Sequence, residues 1–171
     1  ADDILPPSWS AGLGRVEAVW GGALTADTVY MGSRSGGFWK TVDGGQNWHS
    51  TTQNLAAVGV IDIEVHPDRA NEVWILTRHA TGYSYGLLKS TDFGETWNTT
   101  GLTWALGNVT ADQFEIASAD TFYVSTTMGV YRSADAGTTW SNVQAGNTIE
   151  MVVHPTNSQI IYTFRSGSNN Q

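Results

Sequence analysis

The chain has 171 residues, 40% of them apolar and only 14% charged, with Lys and Arg totalling 8 against 16 for Asp and Glu, and a formal net charge of −8. No Lys/Arg cluster occurs, which excludes nucleic acid as a partner because phosphates need a basic stripe; the same charge disfavours anionic membranes. Cysteine is absent, which excludes disulfides and thiol catalysis, and no apolar run approaches the roughly 18 residues that cross a bilayer.

The predicted elements are short strands. A lone segment around Trp9, within residues 1–10, reads as the outer strand of a unit whose other strands lie elsewhere. A first unit over 11–54 carries strands at 16–20, 28–32 and 37–41, and a fourth strand starting at Trp48. The second unit, 55–101, repeats this at 60–65, 72–76, 86–90 and from Trp97. The third, 102–146, does so at 114–117, 121–125, 129–133 and from Trp140. Each run is rich in β-branched and aromatic residues and is bounded by Gly, Pro, Asn or Asp. A fourth unit, 147–171, offers only strands around 149–153 and 160–164, without a further Asp turn. No helical period is sustained, so the fold class is all-β, in antiparallel sheets of four strands.

Between the third and fourth strands of each complete unit stands one pattern, [ST]-x-D-x-G-x-[TN]-W. Its copies place Asp43, Gly45 and Trp48, then Asp92, Gly94 and Trp97, then Asp135, Gly137 and Trp140. A repeat of about 40 to 50 residues marks stacked supersecondary units. The Asp is suited to accept hydrogen bonds from nearby N–H groups and close the turn. The Gly is suited to the left-handed backbone such a turn demands, and the Trp to covering core. Each Asp lacks the neighbouring carboxylates of a calcium loop, so these are read as hairpin locks with no metal, and no cofactor is expected.

These units resemble the Asp-box (BNR) repeats of β-propellers, found in sialidases, xyloglucan-active endoglucanases, photosystem assembly factors and sortilin-type ectodomains. With Gly12-Leu13-Gly14-Arg15, Gly36-Gly37-Phe38-Trp39-Lys40-Thr41 and Gly86-Leu87-Leu88-Lys89-Ser90, the chain is most similar to secreted sortilin-like and glycosyl-hydrolase-like propellers of Bacteroidetes, cargo of type IX secretion. The resemblance implies a secreted or cell-surface bacterial protein, and Ala1-Asp2-Asp3 suits a cleaved mature end. About three and a half blades are present, and propellers close with about 4 to 8. The expected partner is therefore the remaining half of a propeller of seven or more blades, or a second copy of the chain.

Two functional readings stay open. One is a non-catalytic binding or scaffold module whose loops recognise protein or glycan. Tyr83, Tyr85 and Trp104 lie in connections and form a candidate aromatic platform. The other is part of a glycoside hydrolase, which needs two carboxyl groups roughly 5 to 10 Å apart. Asp62 and Glu64 alternate along one inner strand, and Glu150 occupies the equivalent strand of the fourth unit, so these three are candidate channel carboxylates. Xyloglucan-active propellers carry a catalytic Asp before the Gly-Gly of the first hairpin; here Ser33-Arg34-Ser35-Gly36-Gly37 sets Arg34 there. None of Arg15, Arg34, Arg69, Arg78, Arg132 and Arg165 sits in a sialidase motif. His66 and His154 each precede Pro and read as turn residues.

Overall fold

The computed structural model describes residues 15–22, 26–55, 58–78, 84–102 and 109–165. They form strands and turns; no helix is present among them, so none is long and apolar enough to cross a membrane. Three antiparallel sheets of four strands follow in sequence. The first is β1 Val16–Gly21, β2 Val29–Ser33, β3 Gly37–Thr41 and β4 His49–Ser50. The second is β5 Val60–Val65, β6 Val73–Thr77, β7 Leu87–Ser90 and β8 Asn98–Thr99. The third is β9 Ala111–Ile116, β10 Phe122–Thr126, β11 Gly129–Ser133 and β12 Ser141–Ala145. A two-stranded hairpin, β13 Thr148–His154 with β14 Asn157–Arg165, comes last.

The first strands of successive sheets, β1, β5, β9 and β13, lie beside one another. This is the fan of a partial β-propeller, with each sheet as a blade and the first strands innermost. Every inner strand shifts register near its start: at Val16/Ala18, Val60/Asp62, between Ala111 and Gln113, and at Thr148/Glu150. One extra residue there bends the strand and sharpens its twist.

The core lies between blades. Tyr30 and Phe38 of the first blade meet Ile63, Ile75 and Leu88 of the second in one cluster. Trp74, Leu76 and Leu87 meet Phe114, Phe122 and Val124 in the next. Tyr123 and Val130 meet Met151 in a smaller third. Middle strands are thus buried on both faces, as in β6, where all five residues are buried. That explains why 73–76 is an unbroken apolar run instead of an alternating one.

Three sequence expectations need correction. The inner strand of the third blade starts at Ala111, not at 114, because Ala111 and polar Gln113 pair with β10 on either side of a register shift that skips Asp112. Fourth strands begin after the Trp, and two of them are only two residues long. The repeat Trp residues cover core only in part: Trp97 and Trp140 are half-buried at the edge of a cluster, and Trp48 is 37% exposed. The Trp9 segment and residues 166–171 lie outside the described residues.

The second and third Asp turns lean on the blade before them. Gly94 and Gly137 have left-handed φ of +82° and +81°, and a Cβ on them would stand 2.9 Å from Phe38 and 2.8 Å from Trp74. Gly45 has the same handedness, but a Cβ there would meet only its own Trp48, at 3.7 Å. Gly94→Ala therefore adds overpacking to backbone strain, at a cost of about 1–3 kcal/mol. Chemical denaturation should show Gly45→Ala losing distinctly less than Gly94→Ala; equal losses would contradict the packing account.

Candidate functional site

The Asp turns share one hydrogen-bond plan. Asp43 Oδ1 accepts from the Asn47 N–H at 2.9 Å and from Thr41 Oγ1 at 2.7 Å, while Oδ2 accepts from Asn47 Nδ2 at 2.7 Å. Asp92 accepts from the N–H groups of Glu95 and Thr96, at 3.1 and 2.9 Å, and from Ser90 Oγ at 2.6 Å. Asp135 Oδ1 accepts from the Thr139 N–H at 2.8 Å and from Ser133 Oγ at 2.7 Å. The preceding hydroxyl in turn accepts from the Gly45, Gly94 or Gly137 N–H, at 3.0, 2.8 and 2.9 Å.

These bonds favour the ionised carboxylates. Asp43 is drawn down to about 2, chiefly by the Asn47 N–H, and Asp135 to about 2, chiefly by the Thr139 hydroxyl. At Asp92 burial pushes upward, but the Ser90 and Thr96 bonds outweigh it and hold the acid at about 2. Carboxylates so engaged make poor proton donors near neutrality.

The inner strands collect a second set of acids. Asp62 and Glu64 on β5 share a face, and Glu115 on β9 joins them. Asp62 is used structurally: Oδ2 accepts the Phe114 N–H of the next blade at 2.8 Å, and Oδ1 accepts the Ile63 N–H at 2.9 Å. Burial pushes Asp62 upward despite these two bonds. Glu64 is pushed up to about 8, first by burial and then by the charges of Asp62 and Glu115. Glu115 is raised by burial and then by Asp62, and it accepts from Gln113 Nε2 at 2.8 Å. Glu150 is exposed on β13, and the charges that raise Glu64 are those of Asp62 and Glu115. Glu115 is not one of the three acids that strand alternation singles out; aligning β9 with β5 puts it level with Glu64, opposite Tyr123 as Glu64 is opposite Trp74.

A mixed-charge group sits at the other end of the inner strands. Arg78 Nη1 bonds Asp112 Oδ1 at 2.9 Å, joining the second blade to the third. Arg34 Nε lies 3.4 Å from Glu17 Oε1, which Arg15 also pairs. Glu17 is held below its ordinary value, mainly by the Arg15 bond. The hairpin at Arg34 thus presents a cation paired to a carboxylate.

The remaining candidates are placed as follows. His66 is buried in its turn, where Nδ1 accepts from the Asp68 N–H at 3.1 Å and Nε2 lies 2.9 Å from Ala119 O. His154 Nδ1 accepts from the Thr156 N–H at 3.3 Å. Tyr85 is half-buried against the core between the first two blades. Tyr83 and Trp104 lie outside the described residues. Among the described residues, no group of three His, Asp or Glu is disposed to hold a metal ion.

No protein-family model matches the chain, and no curated protein matches it. Solved structures do. An ancestral GH74 enzyme superposes with TM-score 0.74 at 18% identity, over 89% of this chain and 22% of that one. The GH74 xyloglucanase from Xanthomonas campestris gives TM-score 0.66 at 14% identity, over 83% of this chain and 26% of that one. YCF48 bound to D1 peptide gives 0.62 at 19% identity, over 84% of this chain and 45% of that one. The chain spans less than half the length of each, and at these identities the likeness is one of fold.

The carboxyl cluster makes stability depend on pH. Glu64 has a folded-state value of about 8 against an ordinary 4.5, so the folded state holds its proton more tightly. That contribution is complete below the ordinary value and is lost as pH rises through about 8. Melting temperature should fall between pH 6 and 9 in the wild type and fall less in Glu64→Gln. An equal fall in both would refute the assignment.

Proposed function

We propose that this chain is a segment of an Asp-box β-propeller, similar to the sortilin-like group, that acts in a secreted or cell-surface bacterial protein as a non-catalytic binding or scaffold module. The ring is completed by further blades outside this chain. Rigid sheets hold the loops, and the loops contact a protein or glycan partner. The observation that carries this reading is the fate of Asp62: both its oxygens are taken by backbone N–H groups, one of them in the next blade. Those two bonds fix the carboxylate between neighbouring inner strands and draw on the basicity that a nucleophile or general base needs. Arg34, paired to Glu17 at the hairpin where xyloglucan-active propellers carry Asp, supports the same reading. So does the fold likeness to YCF48, a protein solved with a peptide bound.

One observation favours the second reading, part of a glycoside hydrolase. Glu64 at about 8 holds a proton near neutral pH, as a general acid must. Its partner carboxylate would then lie on another blade. The readings part in a turnover assay. The chain should release no product from xyloglucan, mixed-linkage glucan or sialosides, while glycan-array or peptide-array binding is retained in Glu64→Gln. Turnover that disappears in Asp62→Ala or Glu64→Ala would establish the hydrolase reading instead.

A further inference from the structure

The seam between the second and third blades is open. A cleft of about 400 Å³ lies there, lined by Trp74, Lys89, Asn98 and Thr100 of the second blade and by Gly137 and Thr138 of the third. Both walls belong to complete four-stranded sheets.

The seam between the first and second blades shows what occupies the matching position. Lys40 and Lys89 are equivalent, opposite Tyr30 and Trp74 in their sheets. Lys40 is 4% exposed, and its Nζ donates to Phe93 O at 2.9 Å and to Glu95 Oε1 at 2.6 Å. Thr51 Oγ1 donates to Gly94 O at 2.5 Å and accepts from Trp97 Nε1 at 3.0 Å. One blade further on, Thr138 stands where Glu95 stood, three residues after the turn Asp. Thr100 Oγ1 instead donates to Leu87 O at 2.9 Å, and Trp140 Nε1 to Gly137 O at 3.1 Å. Lys89 Nζ stays on its own blade, 3.0 Å from Glu72 Oε2 and 4.9 Å from the Trp74 ring centroid. The carboxylate that closes the first seam has no counterpart among the described residues of the second.

The cleft is also short of acceptors. Among the described residues, Trp74 Nε1 has no hydrogen-bond partner, although Trp74 is 1% exposed. A buried N–H left unpaired is rare and calls for an explanation. Lys89 carries three N–H donors, and Glu72 offers it Oε2 while Oε1 receives Arg69 Nε at 2.8 Å. Lys89 is the one charged side chain among the described residues that line the cleft. The chemistry missing from the cleft is therefore an anion with further acceptor oxygens. Trp74 is covered and has Lys89 over its ring, so it offers an N–H and no open face on which a sugar could stack. Asn98 is exposed on the edge strand β8, and its amide both donates and accepts, as a peptide group does.

We infer that this cleft binds an acidic segment of a partner protein. A Glu or Asp carboxylate of that segment pairs with Lys89 Nζ, as Glu95 pairs with Lys40 one seam earlier. An oxygen of the ligand satisfies Trp74 Nε1, and the adjoining peptide group meets the Asn98 amide. This rests on the reading of the chain as a binding module and gives that module's partner a chemistry.

The probe is acetyl-Gly-Glu-Gly-amide, with acetyl-Gly-Gln-Gly-amide and glucuronate for comparison. Each is titrated into isotope-labelled protein to about 10 mM, an excess over the millimolar affinity that one or two charged contacts give. The Trp74 indole N–H resonance should shift with the Glu peptide and stay in place with the other two. Lys89→Gln should weaken peptide binding about ten- to a hundredfold, the range for a hydrogen bond to a charged group, and Lys89→Arg should retain most of it. Thr138→Glu restores the carboxylate of the first seam from within the chain, and should block the peptide without lowering the melting temperature. Circular dichroism separates unfolding from lost binding, and if Lys89→Gln does not fold, Thr138→Glu decides. Equal shifts with the Glu and Gln peptides, or peptide binding unchanged in Thr138→Glu, would overturn the inference. Glucuronate binding as tightly as the Glu peptide would overturn it in favour of an acidic sugar. No shift at Trp74, with array ligands still bound elsewhere on the protein, would overturn it and leave the binding-module reading standing, whereas glycan turnover would remove that reading itself.

Discussion

Each sheet in this protein can remove its faces from water only against the next sheet. Among the described residues the apolar clusters all join two blades, and none is internal to one. Burial is the dominant favourable term in folding, so blade order and blade spacing follow from it. The Asp turns are fitted to the same constraint, since Gly94 and Gly137 lie where any side chain would strike an aromatic ring of the preceding blade.

Polar groups complete the contact between blades. Lys40 of the first blade donates to Phe93 O at 2.9 Å and to Glu95 at 2.6 Å in the second. Arg78 reaches Asp112, and Asp62 and Gln113 cap N–H groups of the following inner strand. An inner strand has a neighbour on only one edge, so its other edge offers N–H groups that must find acceptors when buried. Side chains that would otherwise read as catalytic acids meet that need. The raised pKa values of Asp62, Glu64 and Glu115 arise from burial and from the crowding of carboxylates, which is why Glu64 supports two functional readings at once.

Much of this was legible in the sequence. Strand positions, their bounds within a few residues and the three Asp turns come from local chemistry: β-branched and aromatic runs, turn residues at set offsets and a period of one blade. Sheet membership followed from the repeat. The start of β9 was not legible, because Asp112 and Gln113 are polar and the strand continues through them only by a register shift that skips Asp112. The half-exposure of Trp48, Trp97 and Trp140 was not legible either, since a Trp at a repeat position is covered only as far as its neighbouring blade extends.

The candidate site divides in the same way. Asp62 and Glu64 on one strand face is a statement about period-two alternation, which residue order alone determines. That Glu115 joins them while Glu150 stands apart, and that Asp62 spends both oxygens on backbone, was decided by how inner strands pack across blades. Local sequence determined the turns and strands because their hydrogen bonds close within a few residues. Tertiary structure decided burial, proton affinity and which faces remain uncovered, because each depends on atoms roughly one blade away in the chain.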